Sequence, residues 1–395
     1  MLLFKAMTPL PALTSSIARE YAQATLSVDL DALVANWRLL AQMSVPAECA
    51  AVVKADAYGV GIEPAVWALA DAGCKTFFVA HVSEGARARL ALGADSPHTV
   101  YVLNGILQDA ATFAAYVEYR LRPILVSVEQ IRGWEAHARA SAVPLPAAVQ
   151  IDTGMKRLGL DAASFEKIAA GLVRPDAAFP LALVMTHFVS SEVTNDPIND
   201  LQIARFKKAI ALVPGIAASM ANSSGIFLPQ KPLFDLVRPG YALYGGNPHQ
   251  HLANPMRPVV RLQAPIIQLH HVEAGETVGY NAQWTAKRPS RLATIGVGYA
   301  DGIPRNAMAT DGQAGGEATV LGKRCPFAGR VSMDLIIIDV TDVDDPALKA
   351  GTPVELLGQD ITVDDLAARS KTIGYEILTG LGRRYHRVYR ADKKA

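Results

Sequence analysis

Through roughly the first 240 residues, short β-branched runs alternate with amphipathic helical segments, and this alternation restricts the possible folds more than any other feature. The strand-like runs fall at 49–56, 76–80, 99–104, 122–127, 147–153, 182–188, 216–222 and 234–238. Between them the pattern predicts helices, for example at 62–72 and 199–213, the second with Ile203, Phe206 and Ile210 on one stripe. Parallel strands need crossover connections, and eight such units in about 200 residues suggest a closed (β/α)8 TIM barrel rather than an open sheet.

After Pro248 the texture changes. Segments such as "VVRLQAPIIQLHHV", "RLATIGVGYADG" and "GEATVLGKRCPFAGRVSMDLIIIDV" alternate short strands with Gly and Pro turns. The predicted organisation is therefore α/β: an N-terminal extension over 1–24, a (β/α)8 barrel over 25–248 and a mainly β domain over 249–390. Lys5, Pro9 and Pro11 interrupt the apolar residues at the start, which makes a poor signal peptide and suggests a flexible extension.

Charge and cysteine content narrow the function classes. A formal net charge of +1 leaves no electrostatic footprint for nucleic acid or an acidic membrane surface. No apolar run approaches the roughly 18–20 residues of a membrane helix. Cys49, Cys74 and Cys325 form no CxxC or His/Cys metal spacing, and reduced thiols of a cytoplasmic protein are the expected state. No metal site is expected, and a small-molecule substrate is the favoured partner.

In a barrel of this kind, chemistry collects where the strands end. That rule picks out Lys54, 152–157, His187, Asn222 with Ser223, and Arg238. Taken singly, each has an ordinary structural explanation: a lysine reaching water, a satisfied core histidine, a turn, a corner. Together they put a lysine near cations, where it loses its proton more easily, beside hydroxyl donors and glycines able to hold a phosphate. A neutral amine forms a Schiff base with an aldehyde, and a lysine with a phosphate cradle fits pyridoxal phosphate.

The stretches "VVKADAYGVG", "IDTGMKRLG", "THF", "ANSSG", "VRPGYALYG", "VGYNAQW", "GYADG", "GRVSMD" and "IGYE" stand in an order and at spacings that resemble the alanine racemases, fold type III pyridoxal phosphate enzymes. The resemblance runs from about Leu26 to Arg390. It implies that Lys54 carries the cofactor and acts as one of two proton-transfer bases, with Tyr280, supplied by the other subunit of a homodimer, as the second. A free tyrosine titrates near ~10, so help is required, and His187 and Arg238 are the candidates for a relay toward it.

By the same resemblance Tyr58, Asn222, Ser223, Gly240, Tyr241 and Tyr375 surround the phosphate, and Arg238 faces the pyridine nitrogen. Arg157 orients the cofactor and the substrate carboxylate, Met333, from the other subunit, offers that carboxylate a backbone N–H, and Tyr299 with Tyr375 narrows the entrance. The implied activity is interconversion of L- and D-alanine for peptidoglycan synthesis. A broad-spectrum racemase, a decarboxylase of the same plan, a non-catalytic pyridoxal phosphate carrier and a binding module without chemistry are the alternatives.

Three positions depart from the family's common pattern. Gln150 stands where many relatives carry a carbamylated lysine behind the arginine, so either a Gln150–Arg157 hydrogen bond or an anion such as chloride is expected there. Ser219 replaces a histidine beside Arg238, and Ser332 a cysteine.

Overall fold

The computed structural model describes residues 17–249 and 251–391. Most of the expected N-terminal extension, residues 1–16, lies outside them. The chain divides into two compact units, one running from Asp29 to Val259, the other combining residues up to Val28 with Val260–Ala391.

The first unit is a parallel barrel. Its sheet has nine strand segments. Two of them, Glu48–Cys49 and Ala51–Val52, are one strand interrupted at Ala50, so eight strands close the ring. Closure is explicit in the register: Glu48 and Cys49 pair with Leu236 and Val237, while Ala51 and Val52 pair with Phe77 and Phe78. Buried aliphatic and aromatic side chains such as Phe77, Phe78, Val149 and Val184 fill the strands, as two-sided burial of a parallel sheet requires.

The helices form where the periodicity places them. Ile62–Asp71 buries Ile62, Ala65, Val66 and Leu69, and Pro197–Ile210 buries Ile203 and Phe206 behind an Asp196 N-cap whose carboxylate accepts from Ile198 N at 3.0 Å. The expected strands run too long at their C-terminal ends. The ladders stop at Val52, Gln150, Met185, Ser219 and Val237, so Lys54, His187, Asn222 and Arg238 lie one to three residues beyond them, in the segments that follow. Leaving the ladder frees those side chains from the strict in-out alternation of a strand.

The second unit is antiparallel and mainly β. Its long strand Val260–Val272 pairs with Pro353–Leu357 over its first part and with Ser290–Ile295 over its second, with a register shift between Ile266 and Gln268. Thr25–Asp29 pairs antiparallel with the same strand, Val28 opposite Val260, so the chain forms a strand of the β unit before it enters the barrel. Two short helices not foreseen from the sequence, Val363–Arg369 and Gly374–Gly380, follow; at seven residues each they are too brief to show a helical period.

Candidate active site

Lys54 begins an unusual turn. Ala55, Asp56, Ala57 and Tyr58 all have φ between 52° and 54°, a left-handed turn built without glycine. Each such residue costs about 1–2 kcal/mol, so the surroundings must hold it. The holding contacts are specific. Glu84 Oε1 accepts the Ala55 N–H at 2.6 Å, and Arg87 bonds Asp56 Oδ1 at 2.7 Å while pairing with Glu63 at 2.6 Å. Glu84 Oε2 takes the N–H groups of Ala80 and His81 at 2.8 and 3.2 Å, so one carboxylate ties the turn to the start of the helix Val82–Leu92. Sequence reasoning did not single out Glu84 or Arg87.

The turn brings Tyr58 round to a second cluster. Its ring stacks on Tyr244, centroids 4.7 Å apart, and Tyr244 Oη donates to Val52 O at 2.9 Å. A Cβ on Gly240 would lie 2.3 Å from Tyr58 Oη, so only glycine leaves that hydroxyl its place. Ser223 Oγ accepts the N–H groups of Gly240 and Ala242 at 3.0 and 3.1 Å, which leaves its own proton to donate. Tyr58 and Ser223 thus set two hydroxyls around the Cβ-free surface of Gly240, with the buried Tyr241 next in the chain. Asn222 serves the adjoining turn, its Oδ1 accepting from Ser191 Oγ at 2.9 Å and Gly225 N at 2.8 Å.

The rim is cationic. Arg238 is buried, donating to Thr186 O at 2.8 Å and to Ser219 Oγ at 2.5 Å, with its guanidinium 5.8 Å from the Phe78 ring centroid. Burial pulls it down to about 9, which still leaves it protonated near neutrality. Ser219 passes the bond on to Leu236 O at 2.5 Å, so the serine standing at this position is an acceptor and a donor at once. Burial, reinforced by Arg157 and Arg238 against the opposing field of Glu84, lowers Lys54 from its ordinary value. His187 is pushed down to about 3 by burial and by Arg238, Arg157 and Lys54, and is therefore a neutral imidazole at physiological pH.

The expected Gln150–Arg157 hydrogen bond is not formed. Gln150 Nε2 donates to Leu158 O at 3.1 Å, because the chain doubles back there, Leu160 N bonding Gln150 O at 2.9 Å. Arg157 is exposed and makes no hydrogen bond or ion pair among the described residues.

The remaining residues singled out from the sequence belong to the β unit. Tyr299 and Met333 stand together: Tyr299 N bonds Ser332 O and Ala300 N bonds Met333 O, both at 3.0 Å. A Cβ on Gly298 would come 2.3 Å from Met333 O, so the close approach requires that glycine. Tyr280 follows Gly279 on a short 3-10 turn and is 68% exposed. Tyr375 is the second residue of the helix Gly374–Gly380.

A closed parallel barrel carrying a depressed lysine beside a hydroxyl cradle, joined to a β unit rich in exposed tyrosine, defines a class of lysine-centred barrel proteins with a bipartite chain. Comparison with known sequences and structures narrows it. Profiles for the alanine racemase N-terminal and C-terminal domains match residues 28–248 and 259–389. The chain is 52% identical to an alanine racemase of Methylobacterium nodulans over 366 residues, covering 93% of this chain and 96% of that one. In Agrobacterium fabrum it resembles both a catabolic alanine racemase, at 45% identity with 93% and 92% coverage, and a biosynthetic one, at 43% with 94% and 95%. Among solved structures, the Bartonella henselae alanine racemase with covalently bound pyridoxal phosphate superposes with a TM-score of 0.85 at 38% identity, covering 93% of this chain and all of that one. The chain belongs to the alanine racemase family.

Proposed function

We propose that this protein interconverts L- and D-alanine with pyridoxal phosphate as its cofactor, acting as a homodimer in the cytoplasm. The observation that carries the reading is Lys54, set on a left-handed turn with its amine made less basic by burial and by a cationic rim, beside the Tyr58, Ser223 and Gly240 cradle. When bound there, pyridoxal phosphate supplies an aldehyde for amines and a ring that withdraws electrons from the bond broken at the substrate Cα. Lys54 would hold that aldehyde. Tyr58 and Ser223 offer hydroxyls to the phosphate, Gly240 the close approach, and Tyr241, Asn222 and Tyr375 complete its surroundings.

Arg238 can only donate, so it would keep a pyridine nitrogen placed against it unprotonated and temper the electron withdrawal that the ring supplies. Racemisation removes a proton from one face of Cα and returns one to the other. Lys54 Nζ serves one face and Tyr280 Oη, from the partner subunit, the opposite face. His187, neutral and close to the cations of the rim, suits a hydrogen-bonded relay with Arg238 toward the phenol. Arg157 and the Met333 N–H orient the substrate carboxylate, and Tyr299 with Tyr375 limits the side chain to a small one.

The test measures turnover of L-alanine and L-serine by wild type, Lys54→Ala and Tyr280→Phe, with absorption spectra. Wild type should be yellow and prefer alanine. Lys54→Ala should lose the lysine-bound chromophore, while Tyr280→Phe should keep it and lose turnover by about 10²-fold or more. A yellow wild type that leaves both amino acids unchanged would defeat the reading. The role in supplying D-alanine for peptidoglycan is checked separately, by whether the gene supports growth of a bacterium that otherwise requires added D-alanine.

A further inference from the structure

The barrel has a cavity at the end opposite Lys54. It has a volume of about 420 Å³ and is walled by the starts of the strands Thr99–Val102 and Arg122–Leu125 and by the segment leading into Ala147–Gln150. Four basic side chains line it, His98, Arg89, Arg120 and Arg122, and no acidic one does.

Arg89 is the anchor of this wall. It is 3% exposed and donates to four main-chain carbonyls: Tyr119 O at 3.0 Å, Ser96 O at 3.2 Å, His98 O at 2.8 Å and Arg120 O at 3.3 Å. Arg120 itself has φ 50°, a left-handed conformation at the corner that supplies two of these acceptors. Buried charges are ordinarily paired with an opposite charge. Yet neither Arg89, Arg120 nor Arg122 forms an ion pair among the described residues, although Glu48 is near enough for its field to reach Tyr101.

The two outer arginines keep donors in hand. Arg120 gives one N–H to Ala94 O at 2.9 Å, and Arg122 one to Tyr101 Oη at 3.3 Å, with its guanidinium 5.7 Å from that ring's centroid. A guanidinium has five N–H groups, so both retain a fork suited to an oxyanion. Burial and mutual repulsion lower Arg89, and burial and Arg89 lower His98, which marks the corner as electropositive. The other wall is apolar, formed by Val143, Pro144, Leu145 and Pro146.

We propose that this cavity binds a small organic phosphate, its dianionic head held by Arg120 and Arg122 above the buried Arg89 and its apolar body laid against the proline wall. Three guanidinium groups match a dianion better than a carboxylate, which would balance only one of them. The site lies within the barrel unit and uses none of the residues assigned to racemisation.

Calorimetric titration of phenyl phosphate into the cofactor-loaded enzyme at low ionic strength tests it, with the cofactor's own phosphate site already filled. Arg89 is left intact because it ties down four carbonyls; the variant is Arg120→Gln/Arg122→Gln. Phenyl phosphate should bind wild type, bind the double variant at least about tenfold more weakly per arginine lost, and leave alanine turnover by that variant unchanged. Inorganic phosphate should bind more weakly than phenyl phosphate. Equal affinity in both proteins, competition with alanine, no binding at all, or equal affinity for the two phosphates would each overturn the proposal.

Discussion

His187 couples the site to acid stability. Its imidazole is held down to about 3 in the folded protein, while in an unfolded chain it titrates near ~6.5. Between those values the unfolded state takes up a proton that the folded state refuses, so the contribution is fully present above about pH 6.5 and is lost as pH falls toward 3. Urea denaturation of wild type and His187→Gln across pH 7 to 4 should show a shallower decline in the variant; parallel declines would mean that the histidine does not carry the effect. At this scale the sequence was informative about identity and poor about partners. Lys54, Ser223 and Arg238 were visible as polar residues at predicted strand ends, whereas the diversion of Gln150 to Leu158 O depends on a backbone reversal that no side-chain pattern encodes.

Among the elements, the left-handed turn after Lys54 is the one most exposed to failure. It relies on Glu84, whose carboxylate serves three N–H groups at once. Glu84→Ala should destabilise the protein by about 1 kcal/mol, the usual net worth of hydrogen bonds that are largely open to water. It should also lower kcat and weaken cofactor retention, because Lys54 loses its fixed approach. Thermal unfolding together with cofactor dialysis checks both effects, and a variant with unchanged stability and retention would show that the turn holds itself. Strand and helix existence in the barrel was legible because two-sided burial leaves short continuous apolar runs in the strands and one-sided burial imposes a period of 3.6 on the helices. The left-handed turn was not, since Ala55 and Ala57 carry no preference for positive φ; a Cβ normally argues against it. Strand ends were misjudged for a related reason: "IDTG" and "THF" continue an extended-looking pattern after the ladder has stopped.

For the whole molecule, the proposed sharing of Tyr280 between subunits has a countable consequence. Lys54→Ala and Tyr280→Phe chains should each be inactive alone, but in a mixed dimer the site holding Lys54 receives Tyr280 from its partner. Random mixing makes about half of the dimers mixed, each with one of its two sites complete, so co-expression should restore about a quarter of wild-type activity. No recovery on mixing would place both bases in one chain or remove Tyr280 from the reaction. The two-part division was legible from the change of texture after Pro248. The recruitment of Thr25–Asp29 into the β unit was not, because a five-residue alternating strand reads the same whichever sheet receives it.

That strand changes what kind of chain this is. Val28 and Val260 are direct cross-strand partners, which places the two points where the barrel segment leaves and rejoins the β unit about 4.5–5.5 Å apart. The barrel is thus a domain insertion with its ends almost touching, and the β unit is the host whose two parts are made before and after it. A nascent chain can close the barrel while its opening strand still waits, unpaired, for Val260–Val272 to emerge. The same geometry means that Asp29 and Val259 could be joined by a short linker and the barrel opened elsewhere, a rearrangement of chain order that preserves every strand neighbour in the ring.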